Sequence, residues 1–270
     1  MIKIYWKKLI VISAFVLIAY IPAFIWMYDR WAAADSYYSH GFLVPLISLF
    51  IVWRMRCQLQ AIKIAPDNRG WWLFGLGIAA HMLSSLWQVY FTSGFSLLFV
   101  IAGLVLIFGG KAFLRALRFP ILFLISMLPL PMAVIAEMSF RLKLIAAQMA
   151  AFAVNHIGMA AVREGSVIKT AHSYLVVEDP CSGIRSLIAL ISLGALMAYF
   201  SKLPRVKKMI VFASSLPIAI FANVLRIIVL TLASEMYGSE FATGAFHDAM
   251  GFAVFAISFF SLVLVSKSLE

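Results

Sequence analysis

Apolar stretches of 16 to 26 residues recur along the whole chain, at 9–28, 38–53, 71–90, 93–109, 119–136, 183–201, 209–234 and 246–266. A helix rises 1.5 Å per residue, so about 20 residues cross a ~30 Å hydrocarbon core, and each stretch reaches or approaches that length. Inside lipid the backbone has to satisfy its own hydrogen bonds, which leaves helices as the form these runs can take. The expected fold class is therefore an all-α polytopic membrane protein with eight transmembrane helices. Composition agrees, because a chain of 270 residues with 64% hydrophobic and 12% charged residues has more apolar surface than a soluble domain of this size can bury. The chain shows no internal repeat, low-complexity segment or soluble second domain, so residues 1–270 read as a single integral membrane domain. The N-terminal run follows Met1 to Lys8 without a small-residue cleavage site, and is expected to be a retained first helix.

The net charge of +11 would suit a nucleic-acid binder, but the 22 basic residues lie in short clusters beside apolar runs. That is the positive-inside pattern of a membrane protein, and no nucleic-acid partner is expected. One segment is ambiguous: 137–161 is apolar enough to cross, yet it carries Arg141, Lys143, Gln148, Asn155 and His156. If it lies in the outer interface as a helix, both termini are cytoplasmic and 15 of the 22 basic residues fall inside, while nine of the 11 acidic residues fall outside. If it crosses as an additional span, the Lys202–Lys208 cluster is forced outside. The first arrangement follows the charge rule and is adopted. In the loop Val162 to Pro180, the alternating residues Val167 to Lys169 and Tyr174 to Val177 suggest a small extracytoplasmic hairpin. The only two cysteines, Cys57 and Cys181, then lie on opposite sides of the membrane, which rules out a disulfide between them.

Three reactive groups converge on the outer leaflet in this topology. Cys181 opens the sixth span, His247 opens the eighth, and Arg226 lies 17 residues beyond Met209, roughly 25 Å up the seventh by helix rise. An arginine within a span costs on the order of 2.5 to 3.5 kcal/mol and so calls for a partner or a wet cavity; the plainer reading is one that snorkels to the headgroups. Asn223 shares the face of Arg226 and can orient it. Asp179 as N-cap and Pro180 at the first helical position would put Cys181 in a first turn, where the helix dipole favours a thiolate. Ser182 and Gly183 leave room for a substrate backbone. Glu178 and Asp179 oppose the thiolate, while Arg185 and Arg226 favour it. A lone cysteine or histidine in such a chain is usually packing or interface, so the case rests on the constellation. His247 has Gly251 four residues on, leaving a groove for another element, and its imidazole suits general acid and base work. His81 reads as a packed polar residue, and His156 and His172 fall in the outer interface and loop. No histidine has metal-ligand spacing with cysteine or carboxylates, so neither a metal nor any other cofactor is expected.

The run Cys181-Ser182-Gly183-Ile184-Arg185-Ser186-Leu187, then Asn223-Val224-Leu225-Arg226-Ile227, then His247 with Gly251, resembles the three signature motifs of the exosortase/archaeosortase family. The segment Tyr38-Ser39-His40-Gly41-Phe42-Leu43-Val44-Pro45 is similar to its N-terminal stretch, so the motif-bearing core covers about 35–255. The resemblance implies an eight-helix membrane cysteine protease or transpeptidase. Its substrates are exported, membrane-anchored proteins with a C-terminal sorting signal of the PEP-CTERM kind, made of a short motif, a transmembrane helix and a basic tail. His247 at the third motif resembles the bacterial branch and implies the inner membrane. The catalytic set is then Cys181, Arg226 and His247, with Arg185, His40, Asn223, Ser182 and Gly183 binding substrate. Two other classes compete: a small permease linked to polysaccharide export, for which Pro129, Pro131 and Pro217 would be apt, and a noncatalytic assembly partner. A transporter usually shows repeat symmetry and polar residues at the midplane, neither of which is evident here.

Overall fold

The computed structural model describes residues 2–177 and 183–270 and divides into two compact units, Met1–Pro131 and Met132–Glu270. The first contains α1 (Ile2–Ala19), α2 (Ile21–Ala32), α3 (Leu43–Arg54), α4 (Arg56–Ala61), α5 (Arg69–Leu86), α6 (Tyr90–Phe108), α7 (Lys111–Ala116) and α8 (Arg118–Phe123). The second contains α9 (Met132–His156), strands β1 (Val162–Glu164), β2 (Val167–Lys169) and β3 (Tyr174–Val176), then α10 (Ile184–Phe200), α11 (Arg205–Tyr237), α12 (Ser239–Thr243) and α13 (Ala245–Ser268). Length and apolar composition make α6, α11 and α13 each able to cross a membrane. Two broken pairs, α1 with α2 and Arg118–Met127 with α9, raise the number to five, and α10 is a shorter apolar helix. The protein is thus a mostly helical membrane protein.

Local chemistry explains the breaks. The first span bends by 57° at Tyr20, where the freed carbonyl of Ala19 lies 3.1 Å from His81 Nε2 and Tyr20 Oη bonds Ser96 Oγ at 2.7 Å. His81 Nδ1 is bonded to Ser93 Oγ at 2.7 Å, and its ring stacks on Tyr20 at 3.9 Å, so it is the packed polar residue that the sequence suggests. The stretch 119–136 is not one helix. It stops after the 3-10 turn Leu124–Met127, because Pro129 and Pro131 each remove a backbone donor, and α9 then runs unbroken for 25 residues. The segment expected as a separate interfacial helix is therefore mostly the continuation of α9. Its charges do not prevent this: Arg141 Nε bonds Glu137 Oε1 at 2.5 Å one turn away.

In the second unit, α9 packs on α11 through Ala146, Ala147, Ala150 and Ala151, small residues that let two helices come close. Leu142 packs with the Leu187–Ala219 cluster, whereas Ala146 to Val154 pack with Val224, Ile227 and Leu230, so α9 and α11 run in the same direction. The loop after α9 is a three-stranded antiparallel sheet in the order β1-β2-β3, with Val167 opposite Val176 and Lys169 opposite Tyr174, one strand more than the expected hairpin. Its inner residues Ile168 and Leu175 join the α9–α11 core.

Candidate functional site

The C-terminal half of α11 organises this region. Arg226 is 8% exposed and Asn223 4%, and they sit three residues apart on one face. The guanidinium faces the start of α13: Arg226 Nη2 lies 3.1 Å from His247 Nε2, 3.3 Å from His247 Nδ1 and 3.1 Å from the His247 carbonyl oxygen. A guanidinium only donates, so an imidazole nitrogen can accept from it only where it carries no proton, and which nitrogen that is depends on the tautomer. Gly251 makes the contact possible, since a Cβ there would stand 3.3 Å from Arg226 Nη2. Asp248 brings Oδ1 to 3.5 Å from His247 Nδ1, a carboxylate the sequence reading passed over although it is the adjacent residue.

Gly183 approaches Asn223 from α10. Its φ of +77° is left-handed, and a Cβ would lie 2.6 Å from Asn223 Cγ, so both conformation and space call for glycine. Gly183 is the N-cap residue, with Leu187 N–H and Ser186 Oγ both donating to its carbonyl at 2.9 Å, and α10 begins at Ile184. The expected cap at Asp179 and the expected first-turn placement of Cys181 fall on residues outside the described ones. Cys181 and Ser182 themselves lie outside the described residues, as do Glu178, Asp179 and Pro180. A narrow cleft between α9, α10 and α11 opens beside Gly183 and Asn223, walled by Leu142, Ala146, Leu187 and Ala219.

Of the other residues singled out from sequence, Arg185 is exposed on the first turn of α10. His40 belongs to the other unit, half-buried in a 3-10 turn, with Nε2 3.2 Å from the Ser126 carbonyl and its ring 5.9 Å from that of Tyr38. Cys57 is an exposed free thiol. Among the described residues, no three His, Cys, Asp or Glu side chains gather to hold a metal.

A second polar node was not foreseen. Glu235, just past the expected end of the seventh span, accepts from Thr170 Oγ1 at 2.5 Å and lies 2.8 Å from His172 Nδ1, while its neighbour Ser234 bonds Ser173 Oγ at 3.0 Å. The bonds from Thr170, then His172, hold its carboxyl far below the usual carboxylate range, at about 2. They tie the β2–β3 turn to the end of α11. Alternation had marked the strands, but nothing local marks a glutamate 65 residues away from its threonine partner.

Apolar helices long enough to cross a membrane, with a buried arginine of one laid against a histidine of another, define a membrane protein with a polar site between two of its helices. The family model for transmembrane exosortases (Exosortase_EpsH) matches residues 31–264, and the chain belongs to that family, whose members process sorting signals in the membrane. No curated protein and no solved structure matches the chain.

Proposed function

We propose that this protein is a membrane-embedded cysteine protease or transpeptidase that cleaves C-terminal sorting signals of the PEP-CTERM kind from exported, membrane-anchored proteins at the extracytoplasmic face. The observation that carries this reading is the direct contact of Arg226 with His247, on a helix face where Gly183, two residues from Cys181, packs against Asn223. Chain connectivity keeps the Cys181 and Gly183 Cα atoms within about 7 Å of each other, so the thiol is tethered close to the pair.

In this mechanism His247 takes the Cys181 proton, the resulting thiolate attacks the scissile carbonyl, and the oxyanion is met by Arg226, which donates from a fixed position. Collapse of the tetrahedral intermediate expels the amine, protonated by His247, and leaves a thioester on Cys181. His247 then takes a proton from water or an acceptor amine, which attacks the thioester and frees the thiol. Gly183 and Ser182 leave the substrate backbone room, Asn223 positions the guanidinium, and Arg185 binds the signal. Residues 1–270 act as one integral domain of the inner membrane with both termini cytoplasmic. Its eight crossings are α1–α2, α3, α5, α6, the broken pair 118–127 with α9, α10, α11 and α13; the parallel course of α9 and α11 supports counting that pair as the fifth.

The reading is tested by co-expressing the protein with a substrate that ends in a candidate signal and measuring the substrate's mass. The wild type is expected to shorten it, and Cys181→Ala to leave it intact at normal enzyme levels. Equal masses with the two enzymes, where a shortened product forms, would refute Cys181 as nucleophile. A permease or assembly role would tolerate the substitution.

A further inference from the structure

Two adjoining hollows share a wall at the end of the first unit where α5 begins and α6 gives way to α7 and α8. One, of about 480 Å³, is apolar in its depth, walled by Ala102 of α6 with Ile121 and Leu122 of α8. The other, of about 690 Å³, is polar and contains Asp67 and Arg69. Lys111 and Arg115 line both, and Arg118 stands at the rim of the apolar one. The polar hollow is a built feature. Ala65 N–H donates to the Gly109 carbonyl at 3.2 Å and Asp67 N–H to the Leu106 carbonyl at 3.1 Å, which fixes the loop on the end of α6.

Three cations, Arg69, Lys111 and Arg115, thus share the polar hollow with one carboxylate, and that carboxylate is already engaged. Asp67 Oδ1 accepts from Arg69 N–H at 2.9 Å, and Oδ2 lies 3.5 Å from Lys111 Nζ. Arg115 and Arg118 are exposed, and among the described residues neither has an ion-pair partner. An apolar trough that opens into a basic cleft matches an amphiphile with an anionic head. A soluble anion would use the cations and leave the trough bare; a neutral lipid would fill the trough and leave the cations uncompensated. These residues also belong to the end expected to face the cytoplasm, whose leaflet is the anionic one.

We propose that the paired hollows bind an anionic phospholipid of the adjoining leaflet, with its phosphate between Arg115 and Arg118 and an acyl chain against Ala102 and Leu122. Arginine's planar fork suits two phosphate oxygens. This site is separate from the residues proposed for peptide cleavage and stands whether or not that chemistry is right.

Lipid retention by the purified full-length protein, read by native mass spectrometry and by melting temperature, tests the proposal with three probes: phosphatidylglycerol, phosphatidylcholine and chain-free glycerophosphoglycerol. Phosphatidylglycerol is expected to bind and raise the melting temperature, and the other two are not. Arg115→Gln with Arg118→Gln should weaken phosphatidylglycerol binding about thirtyfold, the effect of two basic residues at a membrane surface. Lys202→Gln with Arg205→Gln, the same charge change in the other unit, should leave it unchanged. Leu122→Trp fills the trough at an exposed position while keeping every charge; it too should weaken binding, and it serves if the double arginine variant does not fold. Equal binding of phosphatidylcholine, equal binding of the chain-free head group, or wild-type affinity in both the arginine and the tryptophan variants would overturn the proposal.

Discussion

His81, which is buried, and His247, which is half-buried, show how differently the two units use an imidazole. In the first unit, His81 closes a local deficit: the break at Tyr20 frees the Ala19 carbonyl, and the ring meets that carbonyl with one nitrogen and Ser93 with the other. Every partner is neutral and the group is complete. In the second unit, His247 faces the fixed cation of Arg226, an arrangement that settles no backbone deficit of α13 and costs desolvation of a charge. His81 thus finds neutral partners, whereas His247 is held against a charge, the arrangement the proposed chemistry calls for. The comparison leads to substitutions with opposite signatures in the two units.

The largest expected effect is in the second unit. Arg226→Gln should lower cleavage by about 10²–10³-fold, the usual loss when one oxyanion donor is removed, with the melting temperature changed by only a few degrees. Single-turnover rates beside thermal melts check this, and a parallel loss of stability and rate would make the arginine structural. His81→Phe should do the reverse. It keeps the ring on Tyr20 but leaves the Ala19 carbonyl and Ser93 without their partner, at a cost of about 1–3 kcal/mol, while the folded fraction keeps its cleavage rate. Denaturation in detergent against specific activity separates the two quantities.

Gly183→Ala should cost about 1–2 kcal/mol, because a residue with Cβ has to be forced into the left-handed region and Asn223 has to move. Its cleavage rate should also fall, since Asn223 is the link from this turn to Arg226; a rate equal to wild type would break that link. The smallest effect concerns Glu235. Its carboxyl is held at about 2, against an ordinary value of 4.5, so its contribution is fully present above about pH 4.5 and is lost as pH falls toward 2. Melting temperatures measured across that window should fall more steeply for the wild type than for Glu235→Gln, and parallel curves would remove the glutamate as the anchor of the sheet.

Much of this contrast was legible in the chain. Arg226, Asn223 and the pair His247 and Gly251 were found because helical spacing fixes which residues share a face, and the glycine marks where a bulky group can lie. The left-handed turn at the start of α10 is less legible, because it is set by Gly183 under contact from Asn223, 40 residues away in sequence. The break within 119–136 escaped the sequence for a related reason. Mean hydropathy runs smoothly through 119–136, but Pro129 and Pro131 decide where the helix stops, and the Glu137–Arg141 pair makes α9 more tolerant of an apolar setting than its charges suggest. The Glu235 node depends on tertiary contact alone and leaves no periodic trace.

The central claim is that the sulfur of Cys181 forms a covalent bond to substrate within reach of Arg226 and His247. Wild-type enzyme mixed with a cleavable precursor, quenched in acid before turnover is complete and digested for mass spectrometry, should show the N-terminal fragment of the substrate as a thioester on the Cys181 peptide. Hydroxylamine should release it, and Cys181→Ala should show neither adduct nor cleavage. Cleavage that persists in Cys181→Ala, with no adduct on the wild-type cysteine, would contradict the account.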